Sequence, residues 1–454
     1  MKSRFIIALF FLSLSVLSAP WVGKAGEGGE FGGVTRLGLY DAFVMALAGH
    51  ESVGMARESM TQSEFDIDKA YSYVLPTLDL ESTYTRYSEE KGSEMFLLQP
   101  EDSTRFEARL TQPLYSGGRA KSGIRQARKR LAGSRSGLEE ARENVIMDTA
   151  RAYYGALKAA REVEIKEASL KRARERLRVS EARFRVGSAT RAQVLRDEAE
   201  AAGAEAELTR AAALLRDGED EIRRLTGVTG PMEIFRPETN EGGIDMGVNE
   251  LIGLSLRHRK DYMRKLIDEE VAAEGINYVK GHFRPSLKLE GVYTYREQTP
   301  STPFLLNDVA YAGLTIEFPI FEGGLRRAEL GEARSKLREA ELARLALRRD
   351  IELQVRRSYN KMGSAASVMD SYEKQLSFSE ENYSMVFKQY THGLADTMDV
   401  IDAGTTLVEA QTGLMGATYD YELALIEVKK SAGILLDEVS KVLALKKPTE
   451  AELK

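Results

Sequence analysis

Two hydrophobic periods alternate along this chain, in the same order in each half. In TLDLESTYTRY (77–87), Leu78, Leu80 and Tyr84 fall on one side and Asp79, Glu81 and Thr83 on the other. That is the period-two pattern of a strand with one apolar face. SLKLEGVYTYR (286–296) repeats it with Leu287, Leu289, Tyr293 and Tyr295 against Lys288 and Glu290. A returning strand follows each: Phe106, Ala108 and Leu110 alternate with Arg105, Glu107 and Arg109, and Ala312, Leu314, Ile316 and Phe318 alternate with Tyr311, Thr315 and Glu317. The connectors 88–102 and 297–308 are polar or contain proline, and are expected to be loops.

Beyond the Gly-Gly pairs at Gly117, Gly118 and Gly323, Gly324 the period becomes seven. Ile124, Leu131, Leu138, Val145 and Ala152 are followed, after a four-residue step, by Ala156, Val163, Leu170, Leu177 and Phe184. The second half answers with Leu330, Leu337 and Ile351, then Met362, Met369, Leu376, Tyr383 and Tyr390. The sevens resume at Val194, Ala201, Leu208, Leu215 and Ile222, and at Val400, Leu407, Leu414, Tyr421 and Val428. This is coiled-coil patterning, with the four-residue step as a stutter that locally relaxes the supercoil. At 1.5 Å per residue the segment from Arg119 to Arg185 would extend roughly 100 Å.

Matching positions keep a constant offset of 206 residues: Pro113 with Pro319, Gly117 with Gly323, Gly187 with Gly393 and Gly227 with Gly433. The chain is therefore expected to hold one structural unit twice, residues 26–227 and 248–435, with a Pro- and Gly-containing linker at 228–247 and a C-terminal tail at 436–454. Each unit opens with a helical stretch, about 38–74 and 249–283, that ends ahead of Pro76 or Pro285 because a proline disfavours the helical region for its predecessor.

The N-terminus reads differently. Lys2 and Arg4 precede the apolar run Phe5 to Leu17 and then small residues, with Gly23 and Ala25 fitting an export cleavage site, so 1–25 is expected to be a signal peptide. The run is too short for a spanning helix. The chain has 454 residues, no cysteine, 64 basic and 70 acidic side chains and a net charge of −6. Interspersed charges of both signs describe solvated helix faces and argue against a nucleic-acid groove. His50, His258, His282 and His392 are scattered without metal-ligand spacing, and neither a Ser-His-Asp set nor a phosphate loop is present, so no metal, cofactor or catalysis is expected.

Four strands with one apolar face form either one wall of a soluble sandwich or part of a membrane barrel. The repeat offers nothing to cover the apolar face, and four strands cannot close a barrel alone, so a barrel requires several chains. The alternative class is a periplasmic coiled-coil structural or adaptor-like protein that forms no pore.

Taken together, the duplicated unit, the VLPTL entry (74–78), the QPLYSGGR (112–119) and FPIFEGGL (318–325) junctions, and the RFRVG and YTHGLADTMDVIDA tips strongly resemble the TolC-like outer-membrane efflux proteins. The resemblance covers nearly the whole mature chain. It implies a homotrimer whose chains each give four strands to a twelve-stranded barrel in outer-membrane lipid, above an α-barrel that crosses the periplasm. It further implies an exit duct that works with a periplasmic adaptor (membrane fusion protein) and an inner-membrane transporter of RND or ABC type. On that resemblance Val186, Gly187 and Ser188, with His392, Gly393 and Leu394, are the adaptor-docking tips, His392 standing where the family carries valine. Asp399 and Asp402 match its aspartate rings at the pore constriction, with Tyr390 at its tyrosine position. By themselves, two carboxylates in an early helical turn are most simply explained by the positive end of the helix, and it is the resemblance that favours the rings. Ala395 and Gln193 replace the arginine and aspartate of the family's closed-state bridges, which leaves Arg191 and Asp396 as possible substitutes. Pro113, Gly117, Gly118, Pro319, Gly323 and Gly324 mark the strand-to-helix junctions.

Overall fold

The computed structural model describes residues 35–93, 96–235, 243–302 and 305–446; the expected signal peptide lies outside these residues. In chain order the elements are β1 (Thr35–Leu37), α1 (Leu39–Gly49), α2 (Glu51–Ser72), β2 (Thr77–Arg86), β3 (Lys91–Ser93), β4 (Phe96–Gln99), β5 (Asp102–Ser116), α3 (Arg119–Arg185) and α4 (Arg191–Thr226). There follow β6 (Met232–Ile234), α5 (Val248–His258), α6 (Lys260–Gly281), β7 (Ser286–Thr299), β8 (Asp308–Glu317), α7 (Leu325–Thr391), α8 (Thr397–Ser431) and α9 (Leu435–Lys446). The protein is mainly helical.

The duplication is visible in the element bounds. Leu325 follows Arg119 and Thr391 follows Arg185 by 206 residues, whereas Lys260 follows Glu51 and Gly281 follows Ser72 by 209. The difference of three residues sits between β2 and β5. There the first connector folds as the β3–β4 hairpin rather than as a plain loop.

α3 and α7 are single helices of 67 residues each, so each spans roughly 100 Å. Every heptad position named above is buried or half-buried except Phe184 at the tip. α3 follows β5 after residues 117–118 and α7 follows β8 after residues 318–324, and in both places two successive glycines take positive φ just before the helix: 67° and 91° at Gly117 and Gly118, 61° and 89° at Gly323 and Gly324. A side chain at those angles is strained, so glycine lets the chain turn into the helix within two residues. Pro113 lies within β5 beside a register shift against β7, while Pro319 follows the end of β8.

Three further expectations are corrected. The stretches about 38–74 and 249–283 are not continuous helices. The first breaks at His50 (φ −73°, ψ 130°), whose Nδ1 accepts from the Ser52 amide and so starts α2, and the second breaks at Arg259 (φ −65°, ψ 127°). The linker 228–247 carries β6, which pairs in parallel with β1, and the buried Tyr153 hydroxyl ties both strands through the carbonyls of Leu37 and Phe235. The C-terminal tail contains α9, whose Leu435 and Val439, one turn apart, enter the core formed by Leu37, Phe43, Ile146 and Tyr153.

β2, β5, β7 and β8 form one antiparallel sheet in that order, leaving β2 and β8 as open edges. The register sets Leu78 beside Leu110, Leu80 beside Ala108, Ala108 beside Tyr293, and Leu289 beside Leu314. Leu78, Leu80, Leu110, Tyr293, Leu314 and Ile316 are all exposed, so nothing among the described residues covers this apolar face. The opposite face carries Arg109 with Glu107 (2.6 Å) and Lys288 with Glu290 (2.8 Å). Among the described residues no helix is long and apolar enough to cross a membrane.

Candidate functional site

At the ends of the long helices both hairpins turn by the same backbone device. Val186 closes α3, Gly187 follows at φ 78°, and the amides of Gly187 and Ser188 donate to the carbonyls of Phe184 (3.0 Å) and Arg183 (2.9 Å). In the second hairpin His392 and Gly393 (φ 76°) repeat this, with Gly393 and Leu394 donating to Tyr390 (3.0 Å) and Gln389 (2.9 Å). Each is a Schellman turn, which needs a residue in the left-handed region just past the helix. The apolar Val186 and Leu394 project from the two turns and are exposed.

The next helices start from capping boxes of opposite chemistry. In α4 the Thr190 hydroxyl accepts from the Gln193 amide (3.3 Å) and the Gln193 side chain accepts from the Thr190 amide (2.8 Å). In α8 the Asp396 carboxylate accepts from the Asp399 amide (3.0 Å), and Asp399 accepts from the Asp396 amide (2.8 Å). A capping box satisfies two otherwise orphaned amides, and carboxylates there also meet the positive end of the helix. Asp399 thus holds its own turn. Asp402, one turn further on the same face, is exposed, and among the described residues its carboxylate has no partner.

The residues considered for closed-state contacts are engaged within their own tips: Arg191 lies 3.8 Å from Glu198, and Gln193 and Asp396 cap. The two hairpins meet here through other groups. Tyr390 is 1% exposed, with the Arg183 guanidinium 5.1 Å from its ring centroid and Arg183 Nη1 donating to its carbonyl (3.3 Å). Two turns further from the tip along α7, Arg172 lies 5.7 Å over the Tyr383 ring, where burial lowers the arginine and raises the tyrosine pKa. A cavity of about 290 Å³ between α3, α4, α7 and α8 opens beside them, lined by Arg172, Arg176, Glu200, Tyr383, Gly404 and Glu409.

Sequence reasoning missed the buried pair behind this cavity. Arg176 Nε donates to Asp197 Oδ1 at 2.7 Å, with the two side chains 6% and 0% exposed. Its only trace in the sequence is two opposite charges on the inward faces of α3 and α4, easily mistaken for surface residues.

Comparison with known proteins matches residues 43–228 and 251–434 to the family described as outer membrane efflux protein. The outer membrane protein TolC of Vibrio cholerae serotype O1 is 23% identical over 391 residues, which cover 82% of this chain and 85% of that protein. The alkaline protease secretion protein AprF of Pseudomonas aeruginosa is 25% identical over 359 residues, 72% of this chain and 69% of that protein. Among solved structures, the outer membrane protein VceC of Vibrio cholerae superposes with a TM-score of 0.74 at 20% identity, over 87% of this chain and 96% of that one.

Proposed function

The chain belongs to the outer membrane efflux protein family and is an outer-membrane duct for efflux or secretion, and on that premise we propose that three copies close a twelve-stranded barrel above a helical conduit in the periplasm. The observation that carries this reading is the four-stranded sheet with two open edges and an uncovered apolar face, continued through short Gly-Gly junctions into helices of 67 residues. In hydrocarbon an open edge leaves backbone groups without partners, so the edges must pair with other copies and the apolar face turns to lipid. The Schellman tips, with Val186 and Leu394 exposed, are the docking points for a periplasmic adaptor, which joins the duct to an inner-membrane transporter of RND or ABC type. Asp399 and Asp402 ring the periplasmic mouth and select cations, Tyr390 setting the wall behind them.

Native mass spectrometry in detergent and planar-bilayer recordings test both parts. A trimer that conducts, and whose current is blocked by a trivalent cation from the periplasmic side, is expected. Asp402→Asn is expected to remove more of the block than Asp399→Asn, because the Asp399 carboxylate is committed to its cap. A monomer that stays dispersed without detergent refutes the duct; unaltered block in the double variant refutes the aspartate mouth.

A further inference from the structure

α6 and α8 each pack on both long helices, α3 and α7. Where α8 ends and α6 begins, the four helices enclose a second cavity, of about 370 Å³, far from the tips. Glu143 of α3 lines it. This residue is 6% exposed, and its Oε1 has no hydrogen-bond partner among the described residues. A buried oxygen left without a partner is costly, and a ligand group in the cavity would relieve it.

The rest of the wall carries a surplus of positive charge. Glu427 is shared by Lys361 at 2.7 Å and Arg151 at 3.7 Å, Asp261 is taken by Arg259 at 2.7 Å, and Glu140 is taken by Arg264 at 2.9 Å. Two cations of the wall remain. Lys430 is half-buried and donates to the neutral Asn144 Oδ1 at 2.8 Å, and Arg357, exposed at the rim, has no ion-pair partner among the described residues.

We propose that this cavity binds a small divalent oxyanion, Lys430 and Arg357 meeting its charge and the Glu143 carboxyl donating its proton in a hydrogen bond to one of the anion's oxygens. Charge-assisted bonds of this kind are the strong ones. The same count disfavours a cation, because every carboxylate of the wall except Glu143 is already engaged. None of these residues belongs to the sheet or to the tips, so the site goes beyond the duct reading.

The donor must carry its proton, and the surroundings of Glu143 decide when it does. Burial pushes its carboxyl up to about 7, against the pull of Lys260, Lys430 and Arg259 and with a push from Asp261. Lys260 is itself held by Glu139 at 2.8 Å and feels Asp437 of α9, while α7 contributes Arg357 and Lys361 to the cavity. At and below neutral pH Glu143 is therefore a donor. Ionised, it would repel the anion, so binding above pH 7 takes up a proton and weakens roughly tenfold for each further pH unit.

Sulfate is the probe, because it stays divalent across this range. Calorimetric titration of the purified protein in detergent, with sodium chloride of equal ionic strength as the control, is expected to show a saturable sulfate site at pH 6.5. The affinity is expected to be roughly tenfold weaker, or more, at pH 8.5. Glu143→Gln keeps a donor and is expected to bind alike at both pH values. Arg357→Gln, at an exposed position, is expected to weaken binding at pH 6.5 several-fold while leaving the melting temperature in chloride unchanged, and Lys430→Gln is expected to weaken it further. Succinate titrated in the same way separates the sources of such an anion: tighter binding than sulfate assigns the cavity to a dicarboxylate, weaker binding to a tetrahedral anion of the phosphate class. The proposal is overturned if neither anion binds beyond the chloride control, if neither Arg357→Gln nor Lys430→Gln weakens binding, or if the unaltered protein binds sulfate as tightly at pH 8.5 as at pH 6.5.

Discussion

In the first hairpin α3 and α4 meet through charge: Lys166 stands 3.5 Å from Glu207, Arg174 3.3 Å from Glu205, and the buried Arg176 2.7 Å from Asp197. At the same six positions, 206 residues on, α7 and α8 carry Tyr372 and Gly413, Glu380 and Gln411, Asn382 and Ala403. Here an aromatic ring lies on a glycine: a Cβ on Gly413 would meet Tyr372 Cε1 at 2.2 Å, and one on Gly404 would meet Tyr383 Cε2 at 3.5 Å. The same helix crossing is thus filled in two ways. Long ionic side chains fix partner and register at the cost of desolvation, while a ring on a bare backbone fills the space by shape alone. A constant backbone offset says nothing about which filling is used.

The strongest break in this comparison is at the buried pair. Asp197→Ala leaves Arg176 buried without a counter-charge and is expected to destabilise the hairpin by about 3–5 kcal/mol. Arg176→Asn with Asp197→Ala installs the second hairpin's residues and is expected to recover most of that loss. Denaturant melts of the three proteins in one detergent measure it; equal losses in single and double variants would mean that the pair is not an energetic unit.

The next contrast is one of pH. Glu143, on α3, is 6% exposed and burial pushes its carboxyl up to about 7, only partly offset by Lys260 and Lys430, whereas its counterpart Arg349 is exposed. Burial also lowers Lys430, which donates to Asn144 Oδ1 at 2.8 Å. A carboxyl raised above its unfolded value favours the folded state fully below about pH 4.5, and that contribution is lost as pH rises through about 7. The loss approaches about 3 kcal/mol by pH 8–9. Melting temperature is expected to fall between pH 5 and 8, and Glu143→Gln is expected to flatten the fall. A variant with an unchanged slope would place the titration elsewhere.

The smallest effects come from single residues of the aromatic and ionic seams. Gly413→Ala forces the Tyr372 ring aside and is expected to cost roughly 1–3 kcal/mol, relieved by adding Tyr372→Leu. Glu207→Ala, at the equivalent place in the ionic seam, removes partly exposed ion pairs to Lys166 and Arg210 and is expected to cost no more than about 1 kcal/mol. A larger loss from Glu207→Ala than from Gly413→Ala would reverse the contrast between shape and charge at this level of the hairpins.

What the sequence settled by itself is whatever repeats with a period or needs a special backbone. The sevens of α3 and α7, the alternation of the four strands and the six glycines at junctions and tips are local requirements, so they survive without knowledge of neighbours. β6 and α9 were invisible because each depends on a partner distant in the chain, β6 on β1 and α9 on the core around Tyr153, whereas the break at His50 turns on a local side-chain cap to Ser52. The tips divide in the same way. The turns at Gly187 and Gly393 were legible from glycine alone, but that Asp399 closes a cap while Asp402 stands free depends on which way side chains point. Arg176 with Asp197, and Arg183 over Tyr390, are charges in a sequence full of charges. Only the packing of helices against one another decides which few of them leave water.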